Sequence, residues 1–169
     1  SENKFRVVTG SAVREHDKKH ILKYLDSNLK FKDITDECAC FGIFGPKSRL
    51  LLTEIFGDKF ENEKFSFGQA KFLKFNNIDI LFQRLSYVGE LGWELYIPIN
   101  ESKVVYELIN KAGSNYSLVH AGRLAMDIMR MEKGYLHWGH DISSEENPFE
   151  AGLGFAVRLD KEEDFIGKQ

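Results

Sequence analysis

A chain of 169 residues, 43% hydrophobic and 13% aromatic with 14 phenylalanines, can bury a real core as one domain or as one domain plus part of another. Its formal net charge is −3 and its lysines and arginines are scattered, which excludes the basic stripe of a nucleic-acid binder. No apolar run approaches the length of a membrane span, so no membrane partner is expected.

The N-terminal Ser1-Glu2-Asn3-Lys4 is polar and has no signal-peptide apolar stretch. Phe5 to Val8 reads as a short strand. Gly10-Ser11 then opens a helix predicted from Ala12 to Leu29, with Val13, Ile21, Leu22, Leu25 and Leu29 as its apolar face. Ala39 to Phe44 reads as a buried strand. Cys38 and Cys40, two apart, point the same way there and are too close in sequence for a useful disulfide. Read as reduced thiols, they imply a cytoplasmic setting.

Gly45-Pro46 ends that strand and starts a helix whose core face is Leu50, Leu51, Leu52, Ile55 and Phe56, stopped by Gly57. Lys59 to Phe67 reads as loop with a little strand. Lys71 to Phe75 is a strand, Asn76-Asn77 a turn, and Asp79 to Val88 a long strand. Gly89 to Gly92 returns the chain into Trp93 to Pro98 through a four-residue hairpin loop. Asn100 is placed to cap a helix from Glu101 to Ala112, with Val104, Val105, Leu108 and Ile109 as its stripe. A last helix runs from Ala121 to Lys133, with Leu124, Ala125, Ile128 and Met131 facing the core and Gly134 as its cap. Helices and hairpins intermix without steady βαβ alternation, which predicts an α+β domain with helices on one face of a mainly antiparallel sheet.

The segment from Ser86 to Tyr96 is the most informative. It brings glycines, the carboxylates Glu90 and Glu94, and the rings of Tyr87, Trp93 and Tyr96 into one hairpin. Such a site suits a flat heterocycle with a hydrogen-bond-donating edge, a pterin or a purine. If Trp93, Leu95 and Ile97 face the core, Glu94 and Tyr96 face the other side. A solvated outer face is the usual fate of such a glutamate. The alternative is a carboxylate accepting two N–H bonds from a ring edge, which are strong because they are charge-assisted. Tyr87 is either packing or a hydroxyl offered to the same ligand.

Other patterns read as structural. His16 and His20 share a helix face without the metalloprotease glutamate. His137-Trp138-Gly139-His140-Asp141 is one loop, and one loop rarely supplies a full metal site. Gly152-Leu153-Gly154 lacks the strand, third glycine and acidic residue of a dinucleotide fingerprint. Arg123, Asp127 and Arg130 are spaced for a local charge pair.

Taken in order, Phe5-Arg6-Val7-Val8-Thr9-Gly10, Gly45-Pro46-Lys47-Ser48-Arg49, Ser86 to Glu94, Arg130 to Tyr135, Trp138 to Asp141, Glu150 to Phe155 and Asp164 to Gly167 form a register of motifs across nearly the whole chain. In this the chain resembles the folate-binding region of the glycine-cleavage T-protein (aminomethyltransferase) superfamily, and within it the dimethylglycine and sarcosine dehydrogenase branch. The resemblance implies a T-protein-like multidomain fold, truncated here. Residues 1–36 would end an inserted α+β domain, 37–142 would form a folate-binding ferredoxin-like domain, and 143–169 would lead into a C-terminal β domain. The chain's stop at Phe165-Ile166-Gly167-Lys168-Gln169 reads as a cut in mid-structure.

The resemblance also implies tetrahydrofolate as cofactor, with Glu94 on the pterin edge and Tyr87 lining the site. A methylated or aminomethyl amine would be the donor, and methylenetetrahydrofolate the product. Two departures accompany it. The family's folate-contacting arginine has its match at Met126, and the family's essential aspartate would lie upstream of this chain, so no catalytic residue is assigned here. The competing readings are a non-catalytic folate-fold binding or assembly module and a folate-dependent demethylase of another methyl donor. A fragment of this kind is expected to expose apolar surface and self-associate.

Overall fold

The computed structural model describes residues 3–168; Ser1, Glu2 and Gln169 lie outside the described residues. By its internal packing the chain divides after Glu37 into two compact units.

The first unit contains one α-helix, α1 (Arg14–Tyr24), entered through a 3-10 turn at Ser11–Val13. It is shorter than the helix predicted to Leu29. The stop is local: Leu25 is extended, the Asp26 carboxylate accepts from the Asn28 backbone N–H at 2.8 Å, and the Asp26 carbonyl accepts from Leu29 N–H. An Asx turn thus replaces the next helical bonds. The predicted apolar face is not buried, since no residue of α1 is. Phe5 to Val8 is not a strand. It has no ladder partner among the described residues, and Phe5, Val7 and Val8 stay exposed.

The second unit is α+β. It carries a four-stranded sheet formed by β1 (Cys38–Phe44), β2 (Ala70–Phe75), β3 (Ile78–Gln83) and β4 (Gly92–Pro98), in the order β1-β4-β3-β2. Every pairing is antiparallel. Two helices, α2 (Ser48–Phe56) and α3 (Ser102–Gly113), pack against β4 and against each other. The expected fold class, an antiparallel ferredoxin-like sheet with helices on one face, therefore holds.

Alternation drives this layering. Ile43, Ile80, Phe82, Trp93, Leu95 and Ile97 point to the helices and join Leu51, Leu52, Phe56, Val105 and Ile109 in one core. The aromatic content concentrates at one end. Phe60 meets Phe82 and Trp93 edge-on at 5.3 and 5.4 Å, and Phe56 meets Phe75 and Phe82 at 5.0 Å. Lys59 to Phe67 forms turns without the strand expected of it, and serves to carry Phe60 and Phe65 into this cluster.

Asn76 and Asn77 have φ of 47° and 67°, the left-handed pair a tight hairpin between β2 and β3 requires. β3 ends earlier than expected, at Gln83. Beyond it Arg84 N–H turns to Gln69 O, and the Ser86 hydroxyl accepts from Val88 N–H at 3.2 Å. The β3–β4 connection is therefore the eight-residue segment 84–91, not a four-residue loop.

Helix faces also differ from their stripes. Leu50 on α2 and Val104 on α3 are exposed. Asn100 does not cap α3; the chain enters through a 3-10 turn in which Ser102 Oγ donates to Ile99 O at 2.7 Å. The largest correction concerns α4 (Arg123–Glu132). Leu124, Ile128 and Met131 are 81%, 56% and 53% exposed, and the helix buries Arg130 instead.

Candidate functional site

Glu94 sits in mid-β4, on the face turned away from α2 and α3. The burial of Trp93 and Leu95 on either side fixes this orientation. Its register partners are Gly42 on β1 and Gln83 on β3. On the same face of β4, the Tyr96 hydroxyl donates to Glu94 Oε2 at 2.7 Å. Burial, and then the hydrogen bond to that carboxylate, raise the Tyr96 phenol above its ordinary pKa. The tyrosine thus keeps its proton and orients the carboxylate, leaving lone pairs on both oxygens for further donors.

Opposite Tyr96 lies Cys40. Cys40 is exposed as a residue, but its sulfur is desolvated. That burial, and then the Glu94 charge, push its thiol up to about 11. A thiol so raised is a neutral packing group at pH 7 and not a nucleophile.

An apolar cavity of about 500 Å³ opens along β1, lined from both faces of that strand, by Phe41 and Ile43 as well as by residues of the Glu94 side. Cys40, Gly42, Phe44, Ile109, Leu118 and Met126 are among its lining. Glu94 itself is not in the lining, but its register partner Gly42 is.

Tyr87 lies in segment 84–91 rather than on a strand. Its hydroxyl donates to Leu136 O at 3.1 Å, and its ring stacks on Tyr135 with centroids 6.4 Å apart. It is tied to the stretch after α4 and makes no hydrogen bond to Glu94. A second cavity, of about 280 Å³, adjoins this loop and is lined by Arg84, Ser86, Glu90 and Tyr135 among others. Glu90 pairs with Lys133 at 3.6 Å, as befits a turn residue.

The stretch after α4 is organised by Arg130, 3% exposed. Its guanidinium donates to Tyr135 O at 3.0 Å and to Asp141, while Asp141 also accepts from His137 N–H at 2.8 Å. The His137 N–H bond first, then His140 and Arg130, lower Asp141 to about 2. Asp127 stands 3.8 Å from Arg130 Nε, too far for a hydrogen bond, and both facing atoms are buried without a partner. The charge pair expected on α4 is thus part of a larger latch that folds residues 135–141 onto the helix. Among the described residues no group of three or more His, Cys, Asp and Glu could hold a metal ion.

The sequence signals Glu94 and Tyr96 through their alternation with core residues. It does not signal Gly42, Phe44 and Cys40 as their neighbours, because the β1–β4 pairing joins segments about fifty residues apart.

Sheet, helices and oriented carboxylate define an α+β module of recognisable ancestry. The model of the GCVT N-terminal domain matches residues 1–161, and the chain belongs to that family. Among its relatives, Homo sapiens "Dimethylglycine dehydrogenase, mitochondrial" is 38% identical over 176 residues, covering 100% of this chain and 20% of that protein. Homo sapiens "Sarcosine dehydrogenase, mitochondrial" is 36% identical over 168 residues, 98% of this chain and 18% of that one. The Halothermothrix orenii "Aminomethyltransferase" is 32% identical over 168 residues, 99% of this chain and 46% of that one. The likeness to the T-protein superfamily and its dehydrogenase branch is thereby borne out. The chain spans about a fifth of the length of the dehydrogenases and under half of the aminomethyltransferase.

Proposed function

We propose that this chain is the tetrahydrofolate-binding part of an aminomethyltransferase-like protein. The observation that carries the reading is Glu94, a carboxylate oriented by Tyr96 on the open face of the sheet, with its register partner Gly42 lining an apolar cavity. In this reading Glu94 accepts hydrogen bonds from the 2-amino group and N3–H of the pterin, and Tyr96 holds it ready to do so. Tyr87 shapes the site by tying loop 84–91 to residues 135–136. The folate supplies the nitrogens that receive a one-carbon unit from a methylated or aminomethyl amine.

Met126 stands where the resemblance expects a folate-contacting arginine, and it lines the cavity. An apolar side chain there supports the dehydrogenase-type branch. We place the carboxylate that assists proton transfer outside this chain, upstream, so that the chain alone is expected to bind folate poorly and to turn it over slowly or not at all. The inserted domain before residue 37, the folate-binding domain to 142 and the lead into a further β domain belong to the same proposal, as does a cytoplasmic setting that keeps Cys38 and Cys40 reduced.

Calorimetric titration with tetrahydrofolate tests this, on the chain and on the longer protein in which we place it. Glu94→Ala is expected to weaken binding by about 2–4 kcal/mol, through lost charged hydrogen bonds and ligand donors left unpaired. Equal affinity in wild type and variant would remove Glu94 from the site.

A further inference from the structure

Phe44 is the residue of β1 whose side chain bears most directly on the position across from Glu94. It ends β1 on the face opposite the core and is not part of the core cluster. Its ring lies down on the sheet over two glycines. A methyl group built on Gly42 would overlap Cε2 and Cζ of that ring, the latter at 2.6 Å, and one built on Gly92 would overlap Cδ1. Gly92 is also crowded by backbone, with Ile43 O and Phe44 Cα against it, so strand packing accounts for that glycine. Gly42 is different. It does not have a left-handed φ, and the three atoms nearest to a side chain built there all belong to the movable ring of Phe44. Glycine in a strand interior is disfavoured and commonly marks a close approach.

Gly42 is the register partner of Glu94, so the reclining ring covers the position directly across from the carboxylate, about 5 Å away between opposite Cβ positions. Both Gly42 and Phe44 line the apolar cavity. We propose that Phe44 is a ligand-binding residue, a stacking platform on which a flat heterocycle rests while Glu94 holds its edge. Gly42 is the positioning residue that lets the ring lie flat. The proposal rests on the folate reading of Glu94 and deepens it, since a carboxylate alone would accept any donor pair, whereas carboxylate plus platform selects a planar ring.

The test is tetrahydrofolate affinity for wild type, Glu94→Gln, Phe44→Leu, Phe44→Tyr and Gly42→Ala, with melting curves for each. The ligand's ring-proton shifts are followed by NMR in the same titrations. Phe44→Leu is expected to weaken binding about tenfold, within the range for aromatic stacking on a heterocycle, and to abolish the upfield ring-current shift of the bound pterin protons. Phe44→Tyr should restore both. Gly42→Ala should tilt the ring and weaken binding while the melting temperature holds or rises. If Glu94→Gln weakens binding but Phe44→Leu keeps both wild-type affinity and the shift, the platform is wrong and the carboxylate reading stands. If Glu94→Gln binds as wild type, or if the longer protein with wild-type sequence does not bind tetrahydrofolate, the folate reading fails and the platform with it.

Discussion

At the scale of the residue, the site is a short chain of hydrogen bonds and charges: Glu94, Tyr96, Cys40. Its linkage is checkable without any ligand. Burial and the Glu94 charge hold the Cys40 thiol at about 11, so below that pH little thiolate is present and alkylation should be slow. Removing the charge with Glu94→Gln lowers the thiol's pKa, because thiolate no longer faces carboxylate. The reaction of Cys40 with iodoacetamide near pH 9 should then speed up, with the pH–rate profile moved to lower pH; mass spectrometry separates it from Cys38. An unchanged profile would place Glu94 and Cys40 too far apart to interact. Glu94 and Tyr96 were legible in the sequence because a two-residue period sets them against buried Trp93, Leu95 and Ile97. Phe44 was not, because nothing local says that its ring lies on Gly92 from another strand.

At the scale of the element, β1, β2 and β4 lie close to where the sequence puts them, whereas Phe5 to Val8 forms no strand, β3 stops early and the apolar stripe of α4 stays exposed. Asn76-Asn77 marks its hairpin by chemistry that acts within the turn itself. The end of β3 at Gln83 was hidden, because Arg84 finds its partner on Gln69, a contact no local pattern encodes. In α4 an apolar stripe predicted burial, and the buried side chain is Arg130, satisfied by Asp141 and Tyr135 O. That latch carries a pH dependence. Asp141, held at about 2 against an ordinary 3.8, contributes stability that is full above about pH 4 and is lost as pH falls through 2. Asp33, lowered to about 2 by Thr35 and then Arg14, titrates in the same window, so the comparison must be with a variant. Asp141→Asn should melt earlier than wild type at pH 6 and lose less stability between pH 4 and pH 2. Parallel acid profiles for the two proteins would show that the Arg130–Asp141 contact does not stabilise the fold.

At the scale of the whole molecule, the chain combines one well-packed core with much uncovered apolar surface. Leu124, Ile128 and Met131 on α4, and Trp138, Phe149 and Phe155 beyond it, are all more than half exposed. Exposure of this kind favours association, and the chain should show concentration-dependent light scattering and bind a hydrophobic dye. A monomer at all concentrations without dye binding would contradict that expectation. The family was legible from seven motifs in register, and its model matches residues 1–161. Whether Glu94 holds the donor edge of a pterin, as proposed, is read out by a thermodynamic cycle. Affinities are measured for tetrahydrofolate and its 2-desamino analogue, each with wild type and Glu94→Gln. Losing the amino group is expected to weaken binding to wild type by about 1.5–3 kcal/mol and to cost Glu94→Gln less, because the neutral amide no longer offers the amino group a charged acceptor. Strictly additive losses would mean that Glu94 and the pterin amino group do not meet.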